Sequence, residues 1–417
     1  MKKYSEYKKS NISWLGEIPK DWKIERVKKH FNFSKDSTEP DGKNVLSLTM
    51  KGIKIRDIST NEGQLPDSFD GYRYLKQGDI VFNPMDLISG YVDLAEIEGI
   101  ISPAYTVLRK KFSSNTNLRY ITIQFQRNYK ERIFWWYGQG VSLDHRWELK
   151  DKTLMNFPIL IPTEIDQDRI VDEINNLGEF TNNFILSKRK YIDLLKEYKQ
   201  TKINELVTKG LNNDVNSKES GIKWLGKIPQ HWRILKLKKL VKVNSSKSSN
   251  LGNKVALENI ESWTGKLLKT DSALFEADGV PFENGDVLFC KLRPYLAKVF
   301  LPTEDGSCVN ELLVLKPKTD LISKEFIYTR LLTYDFIQLV NSSTYGAKMP
   351  RASWDFIGEI EIPFPPDFDE QTQIFDMAEK INSDINILIH KAEEQIELIQ
   401  QYRQSLIYEL VTGKRKP

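Results

Sequence analysis

The chain of 417 residues is long enough for two or three domains with separate cores, and its 40% hydrophobic and 28% charged content describes a soluble globular protein. No apolar run approaches the roughly 20 residues that span a bilayer, and the Lys-rich residues 1–10 lack the apolar stretch of a signal peptide, so a cytoplasmic protein without a membrane partner is expected. Two cysteines, Cys290 and Cys308, exclude a disulfide framework and a cysteine zinc cluster, while a net charge of +4 permits a local basic surface facing nucleic acid without arguing for one.

Two segments open matching halves. Residues 14–22 and 224–232 both follow W-L-G-x-I-P-x-x-W, at a spacing of 210 (224 minus 14). Further on, Gly78-Asp79 and Gly285-Asp286 each precede a short apolar run, and Trp147 matches Trp354, all at a spacing of 207 (285 minus 78). These runs read as strands, as do residues 105–108 and 312–315, so each half begins as a mixed α and β domain. Proline-marked segments at 157–162 and 360–366 favour extended chain and delay the helix that follows.

Two long helices are expected next, over 166–208 and 370–412, with Asp166 and Asp369 placed to cap them. Alternating steps of four and three from Ile170 pass Ile174, Leu177, Thr181, Phe184, Lys188, Tyr191, Leu195, Tyr198 and Lys202 to Leu206. The same steps from Ile374 pass Ala378, Ile381, Ile385, Leu388, Ala392, Gln395, Ile399, Tyr402 and Leu406 to Leu410, the seam of a coiled coil. Both ladders lie 204 residues apart (374 minus 170), and matched identities include Gln167 with Gln371, Asp172 with Asp376, Leu194 with Leu398, Gln200 with Gln404 and Glu-Leu-Val-Thr at both ends. Two unrelated amphipathic helices would not match polar positions outside a seam, so the helix is one element used twice.

A helix of about 40 residues is about 60 Å long. An antiparallel pair needs only short connections, such as the Asn- and Ser-rich residues 210–220, whereas a parallel pair would have to be re-crossed. The expected fold is therefore α+β: two similar mixed α/β domains, residues 1–162 and 211–366, separated by two long antiparallel coiled-coil helices, 163–210 and 367–417, as a pseudo-twofold internal duplication.

Catalytic signals are weak. Gly221, Gly226 and Lys227 fit G-x-x-x-x-G-K, but Ile228 stands where a Ser or Thr would hold magnesium. Phe364-Pro365-Pro366-Asp367 fails the pattern of adenine methyltransferases at its first and last positions, Gly138 and Gly140 are too little for a cofactor loop, and Glu148-Leu149-Lys150 has no partner carboxylate for a nuclease site. His30, His145, His231 and His390 lack ligand spacing. No catalytic residue, cofactor or metal site is expected in this chain.

The halves differ most between Tyr137 and Trp147 (YGQGVSLDHRW) and between Tyr345 and Trp354 (YGAKMPRASW). Arg and Lys read guanine edges or hold phosphates, so Arg146, Lys348 and Arg351 are the first DNA-contact candidates. Lys51, Lys54 and Arg56, and Lys291 and Arg293, alternate along expected extended chain and form a second group. Trp135, Trp136 and Tyr137 read as core, and Lys414, Arg415 and Lys416 as a solvated tail.

The layout resembles the specificity subunits of type I restriction-modification systems. The similarity covers essentially the whole chain: two W-L-G-x-I-P-x-x-W openings, two Gly-Asp-apolar strands, two proline-ended segments leading to Asp166-Gln167 or Glu370-Gln371, and two long helices. The first copy departs from the family's Pro-Pro and Glu-Gln pattern with Ile161-Pro162 and Asp166-Gln167. The resemblance implies two target recognition domains that read double-stranded DNA without catalysis of their own. It further implies two modification subunits docked against the helices, bringing S-adenosylmethionine, and restriction subunits that add ATP- and magnesium-dependent translocation and cleavage. Two similar but non-identical domains should read a bipartite, asymmetric target. A coiled-coil scaffold whose paired domains bind proteins is the alternative; salt-sensitive binding to duplex DNA separates the two.

Overall fold

The computed structural model describes residues 2–37, 42–58, 68–140, 147–212, 214–246, 253–268, 279–318, 320–346 and 348–417. Arg146 and His145 lie outside them. The chain forms two compact units, residues 1–186 with 395–417 (unit 1) and residues 187–394 (unit 2).

In unit 1 the strands Phe31–Phe33, Thr106–Lys110, Ile80–Phe82 and Val92–Leu94 pair in that order, all antiparallel. Successive side chains leave opposite faces. Ile80, Phe82 and Leu108 join the main core with helix α1 (Leu118–Lys130), and Val81 and Val107 join a smaller core with Leu46, Leu75 and Ile101 of a second sheet. Burial on both faces explains why the run after Gly78-Asp79 is continuously apolar. Unit 2 repeats the arrangement: Val287, Phe289, Leu313 and Leu315 face one core, and Leu288, Cys290, Leu312 and Val314 face the other. Cys290 and Cys308 are thus packing residues, and burial pushes their thiols up to about 11 and about 12.

The Gly-Asp pair earns its place in the turn before that strand. Asp79 Oδ2 accepts from Lys76 N at 2.9 Å, and Asp286 Oδ2 accepts from Glu283 N at 2.9 Å. Arg109 donates to both Asp79 carboxylate oxygens at 2.8 and 2.6 Å, whereas the matching cation of unit 2, Lys316 (316 minus 109 is 207), bonds Glu283 instead at 2.6 Å. Burial, unopposed by such a pair, raises the Asp286 carboxyl above the usual range.

The proline-marked segments are strands, Pro158–Ile161 against Lys23–Arg26 and Glu361–Phe364 against Arg233–Lys236. The long helices follow as α2 (Glu164–Lys209) and, after helix α3 (Lys324–Leu331), α4 (Phe368–Val411). Their caps differ from expectation. Thr163 Oγ1 accepts from Asp166 N, and Asp367 Oδ1 accepts from Asp369 N, both at 3.2 Å, so Asp166 and Asp369 already lie in the first turn.

The seam also departs from the 4-3 ladder. Ile192, Lys199, Ala378, Ile385 and Ala392 are buried, whereas Tyr191, Tyr198, Leu388 and Tyr402 are exposed. A straight α-helix returns to the same face every 3.6 residues, so a strict 3.5-residue ladder drifts off it, and the buried line takes extra steps of four. The slip falls at matching positions of the two copies, 191 to 192 and 395 to 396, 198 to 199 and 402 to 403.

Within each unit the two helix segments run antiparallel. In unit 1, Arg415 reaches Glu173 at 3.8 Å and Arg403 reaches Asn182 at 3.4 Å. In unit 2, Lys199 donates to Asn382 at 3.0 Å and Asn386 at 3.2 Å. Lys199 and Arg403 stand 204 residues apart, as do Asn182 and Asn386 (386 minus 182), so one cross-helix polar lock occurs twice. A polar contact across the seam, with Lys199 buried in the copy of unit 2, favours one register of the helix pair. Burial lowers the pKa of Lys199.

Each helix starts in one unit and ends in the other. The starts are tied by the matched glutamines: Gln167 Oε1 accepts from Asn117 N at 2.8 Å, and Gln371 Oε1 accepts from Ser323 N at 2.7 Å. Both are buried, so these identities serve the core rather than a shared outer surface. The ends dock on the repeated I-P-x-x-W. A Cβ at Gly413 (φ +73) would stand 2.3 Å from Pro19 Cδ, and one at Gly210 (φ +79) 3.4 Å from Trp232 Cζ2, so the chain leaves α4 in unit 1, and α2 in unit 2, through a left-handed glycine pressed on the motif. Trp22 and Trp232 are fully buried there.

The first tryptophan of each motif stacks on a buried arginine. In unit 2, Arg330 lies 5.4 Å from the Trp224 ring centroid and donates to Asp335 at 2.7 and 3.1 Å. In unit 1, Arg127 lies between Trp14 (5.3 Å) and Tyr408 of α4 (4.8 Å) and donates to Glu131. The motif is therefore a platform for the end of a long helix. Residues 221–227 lead into the strand Lys227–Pro229 rather than a helix, which removes the phosphate-loop geometry. The terminal basic residues are not a solvated tail either: Lys414 donates to Glu17 O at 2.6 Å, and Lys416 N donates to Lys2 O at 3.0 Å.

Candidate nucleic-acid interface

In unit 2 the structure brings four of the sequence candidates together. Lys291 and Arg293 follow the strand Val287–Cys290, and Lys348 and Arg351 lie in the Tyr345–Trp354 loop some 55 residues later (348 minus 293). Backbone bonds zip the two segments: Ala352 N donates to Lys291 O at 2.9 Å, and Arg293 N donates to Pro350 O at 2.7 Å. Tyr345 and Arg351 exchange two further bonds at 3.1 Å. Arg293 holds φ +48, a left-handed conformation that costs a non-glycine residue about 1 kcal/mol and tends to persist at functional sites.

Arg351, 45% exposed at its side chain, donates to Glu311 Oε1 at 2.6 Å. Tyr295, Tyr345 and Met349 are exposed around the same segments. The result is a tip with four cations, aromatic surface and one paired carboxylate, a composition that can hold phosphates and read base edges. Glu311 was missed in the sequence because nothing local marks a carboxylate 40 residues before the loop it joins.

Unit 1 has the same zipper with other side chains. Leu149 N donates to Pro84 O at 2.8 Å, a bond like that to Lys291 O whose acceptors stand 207 residues apart (291 minus 84) and whose donors stand 203 apart (352 minus 149). Where unit 2 has Lys291 and Arg293, unit 1 has Pro84 and Asp86, and Asp86 turns inward on its own loop, accepting from Ile88 N at 3.0 Å and Ser89 N at 2.8 Å. Met85 and Ile88 are exposed on that loop. Trp136 is 77% exposed, a correction to its reading as core, while Trp135 packs against Trp147. Lys51, Lys54 and Arg56 belong to another element, at and beyond the edge strand Gly52–Ile55 of the second four-stranded sheet, pinned where Ile53 N donates to Asp93 Oδ2 at 3.0 Å. Glu148 and Lys150 pair with each other at the surface.

Among the described residues no group of three or more His, Cys, Asp or Glu side chains could hold a metal, and no helix is long and apolar enough to cross a membrane.

With this geometry in place, residues 229–398 match the family model of the type I restriction modification DNA specificity domain. The chain is 22% identical to the type I restriction enzyme EcoDI specificity subunit of Escherichia coli, over 66% of each chain. It is 22% identical to the type I restriction enzyme MjaVIII specificity subunit of Methanocaldococcus jannaschii, over 98% of this chain and 96% of that one. Among solved structures, a chain of a type I R-M system assembly superposes with a TM-score of 0.69 at 15% identity, covering 94% of this chain and 98% of that chain. The HsdS subunit from Thermoanaerobacter tengcongensis superposes with a TM-score of 0.55 at 15% identity, covering 95% and 98%. The fold is thus that of type I specificity subunits. Along nearly its whole length the chain is similar to type I restriction enzyme specificity subunits, and the match to the specificity-domain model falls on residues 229–398.

Proposed function

We propose that this chain is the DNA sequence-recognition subunit of a type I restriction-modification complex, with unit 1 and unit 2 each reading one half of a bipartite, asymmetric target. The observation that carries the reading is the repeated zipper with unlike tips: the frame is the same in both units, and the side chains it presents are not. Lys291, Arg293, Lys348 and Arg351 contact DNA from unit 2. In unit 1, Lys51, Lys54, Arg56 and Arg146 serve the backbone and the groove.

The long helices dock two modification subunits. Supporting this is a repeated pair on each helix, Leu194 with Tyr198 and Leu398 with Tyr402, identical at a spacing of 204 (398 minus 194). Exposures of 53, 52, 62 and 50% leave these side chains outside both cores. An apolar i, i+4 pair presented twice suits two copies of one partner. Those partners supply S-adenosylmethionine and methylate adenine, and restriction subunits supply the ATP- and magnesium-dependent steps.

Expression of this chain with its modification subunit in a methylation-free host, followed by mapping of modified adenines, tests the reading. A split motif with unlike halves is expected. A stable complex that leaves the genome unmodified would overturn it.

A further inference from the structure

Glu311 has a carboxylate with two unequal oxygens. Oε1 is held by Arg351 Nη2 at 2.6 Å. Oε2 is buried and has no hydrogen-bond partner among the described residues. Leaving a buried acceptor unsatisfied is unfavourable, and such groups call for a reason. Glu311 lines an open cavity of about 250 Å³ together with Lys291, Leu313, Tyr345, Arg351 and Trp354. That cavity opens at the zippered tip that carries the four cations. At the matching position of unit 1 (311 minus 207) stands Ala104, which has no acceptor to offer.

We infer, on the DNA-recognition reading above, that Glu311 Oε2 is a base-reading acceptor of unit 2, taking a hydrogen bond from an exocyclic amino group in the major groove. Cytosine N4 and adenine N6 are the two such donors on base edges there. A carboxylate repels phosphate and the oxo groups of guanine and thymine, so it discriminates by rejection as well as by attraction. Arg351 bonds one oxygen and leaves the other without a donor among the described residues, on a side chain that lines the cavity, while the surrounding cations hold the phosphates that bring the groove to it. Glu311 reads, and Arg351 positions it.

The test separates reading from mere support. In Glu311→Gln the amide oxygen can keep the Arg351 bond while an NH₂ group replaces Oε2, turning acceptor into donor at one point. Modified adenines are mapped for complexes carrying the parent chain, E311Q and Arg351→Ala. The expected result is a change at one base pair of the second half-site in E311Q, from an amino-bearing to an oxo-bearing base edge, with the first half-site unchanged. In parallel, the parent complex is bound to duplexes of its mapped target in which single cytosines or adenines are replaced by analogues lacking the exocyclic amino group. One second-half position should lose about tenfold or more in affinity. A parent complex with a split target, whose E311Q form keeps the same target and whose binding ignores every such replacement, overturns this inference alone. A parent complex that modifies no split target overturns the recognition reading and this inference with it.

Discussion

Leu149 bonds to Pro84 O in unit 1 and Ala352 to Lys291 O in unit 2, the same tip closure made twice. Around it the units diverge. Unit 2 presents Lys291, Arg293, Lys348 and an Arg351–Glu311 pair, while unit 1 presents Met85, Ile88 and Trp136 and folds Asp86 back on its own loop. The difference teaches that the backbone frame and the recognition surface are separately adjustable. Backbone bonds hold the tip closed and do not depend on the side chains, which are then free to vary.

The frame itself is shared but unequally built, and the largest expected effect probes that. Arg330→Ala removes a fully buried cation and leaves Asp335 without it, a change expected to cost about 3–5 kcal/mol. Arg127→Ala in unit 1 should cost less, about 2 kcal/mol, because among the described residues Arg127 donates only to the partly exposed Glu131, its Nε and Nη1 find no partner there, and stacking is what is lost. Urea unfolding of both variants measures the gap, and equal losses would break the comparison.

A smaller asymmetry sits in the Gly-Asp turns. Asp79→Asn gives up the charge on a doubly bonded Arg109 and should cost about 2 kcal/mol. Asp286→Asn keeps the turn bond from Glu283 N and should change stability by less than about 0.5 kcal/mol at neutral pH. The sign follows from the raised Asp286 pKa. The folded unit binds the proton more tightly than the unfolded chain, so that stability is fully present below the ordinary carboxylate pKa and is lost as pH rises through the raised one. The parent should therefore lose, relative to D286N, some stability between those two pH values, which thermal melts across acidic pH would register.

The smallest effects concern the tips. Arg351→Ala should relax one half-site by about 1 kcal/mol and leave the other half intact, whereas Lys54→Ala should weaken binding evenly over sequences and reduce the salt slope by about 1. Binding titrations at several salt concentrations read both. Equal relaxation of both half-sites by R351A would show that the tips do not act separately.

Much of this was legible in the chain. The duplicated openings, the Gly-Asp strands and the helix spacing of 204 report local requirements: a left-handed or crowded position, a two-faced strand, an apolar side of a helix. Those requirements act within a few residues, so the residue types reveal them. The seam after Lys188 was misread because the same residues fit a 3.5 and a 3.6 period nearly equally over short stretches, and only burial separates Tyr191 from Ile192. Asp166 has the residue type that favours caps, yet Thr163, three residues earlier, takes the bond once the helix begins at Glu164.

Residue types and their spacing are enough to establish two α+β domains, two copies of one long helix, and where the halves differ. Only the tertiary structure decided that the matched glutamines tie helix starts to the cores, that the motif tryptophans receive helix ends and buried arginines, and that Glu311 meets Arg351 beside Lys291. Each of these joins residues tens to hundreds of positions apart. Such contacts depend on how packed elements meet in space, and a side chain carries no local mark of the distant partner it will find.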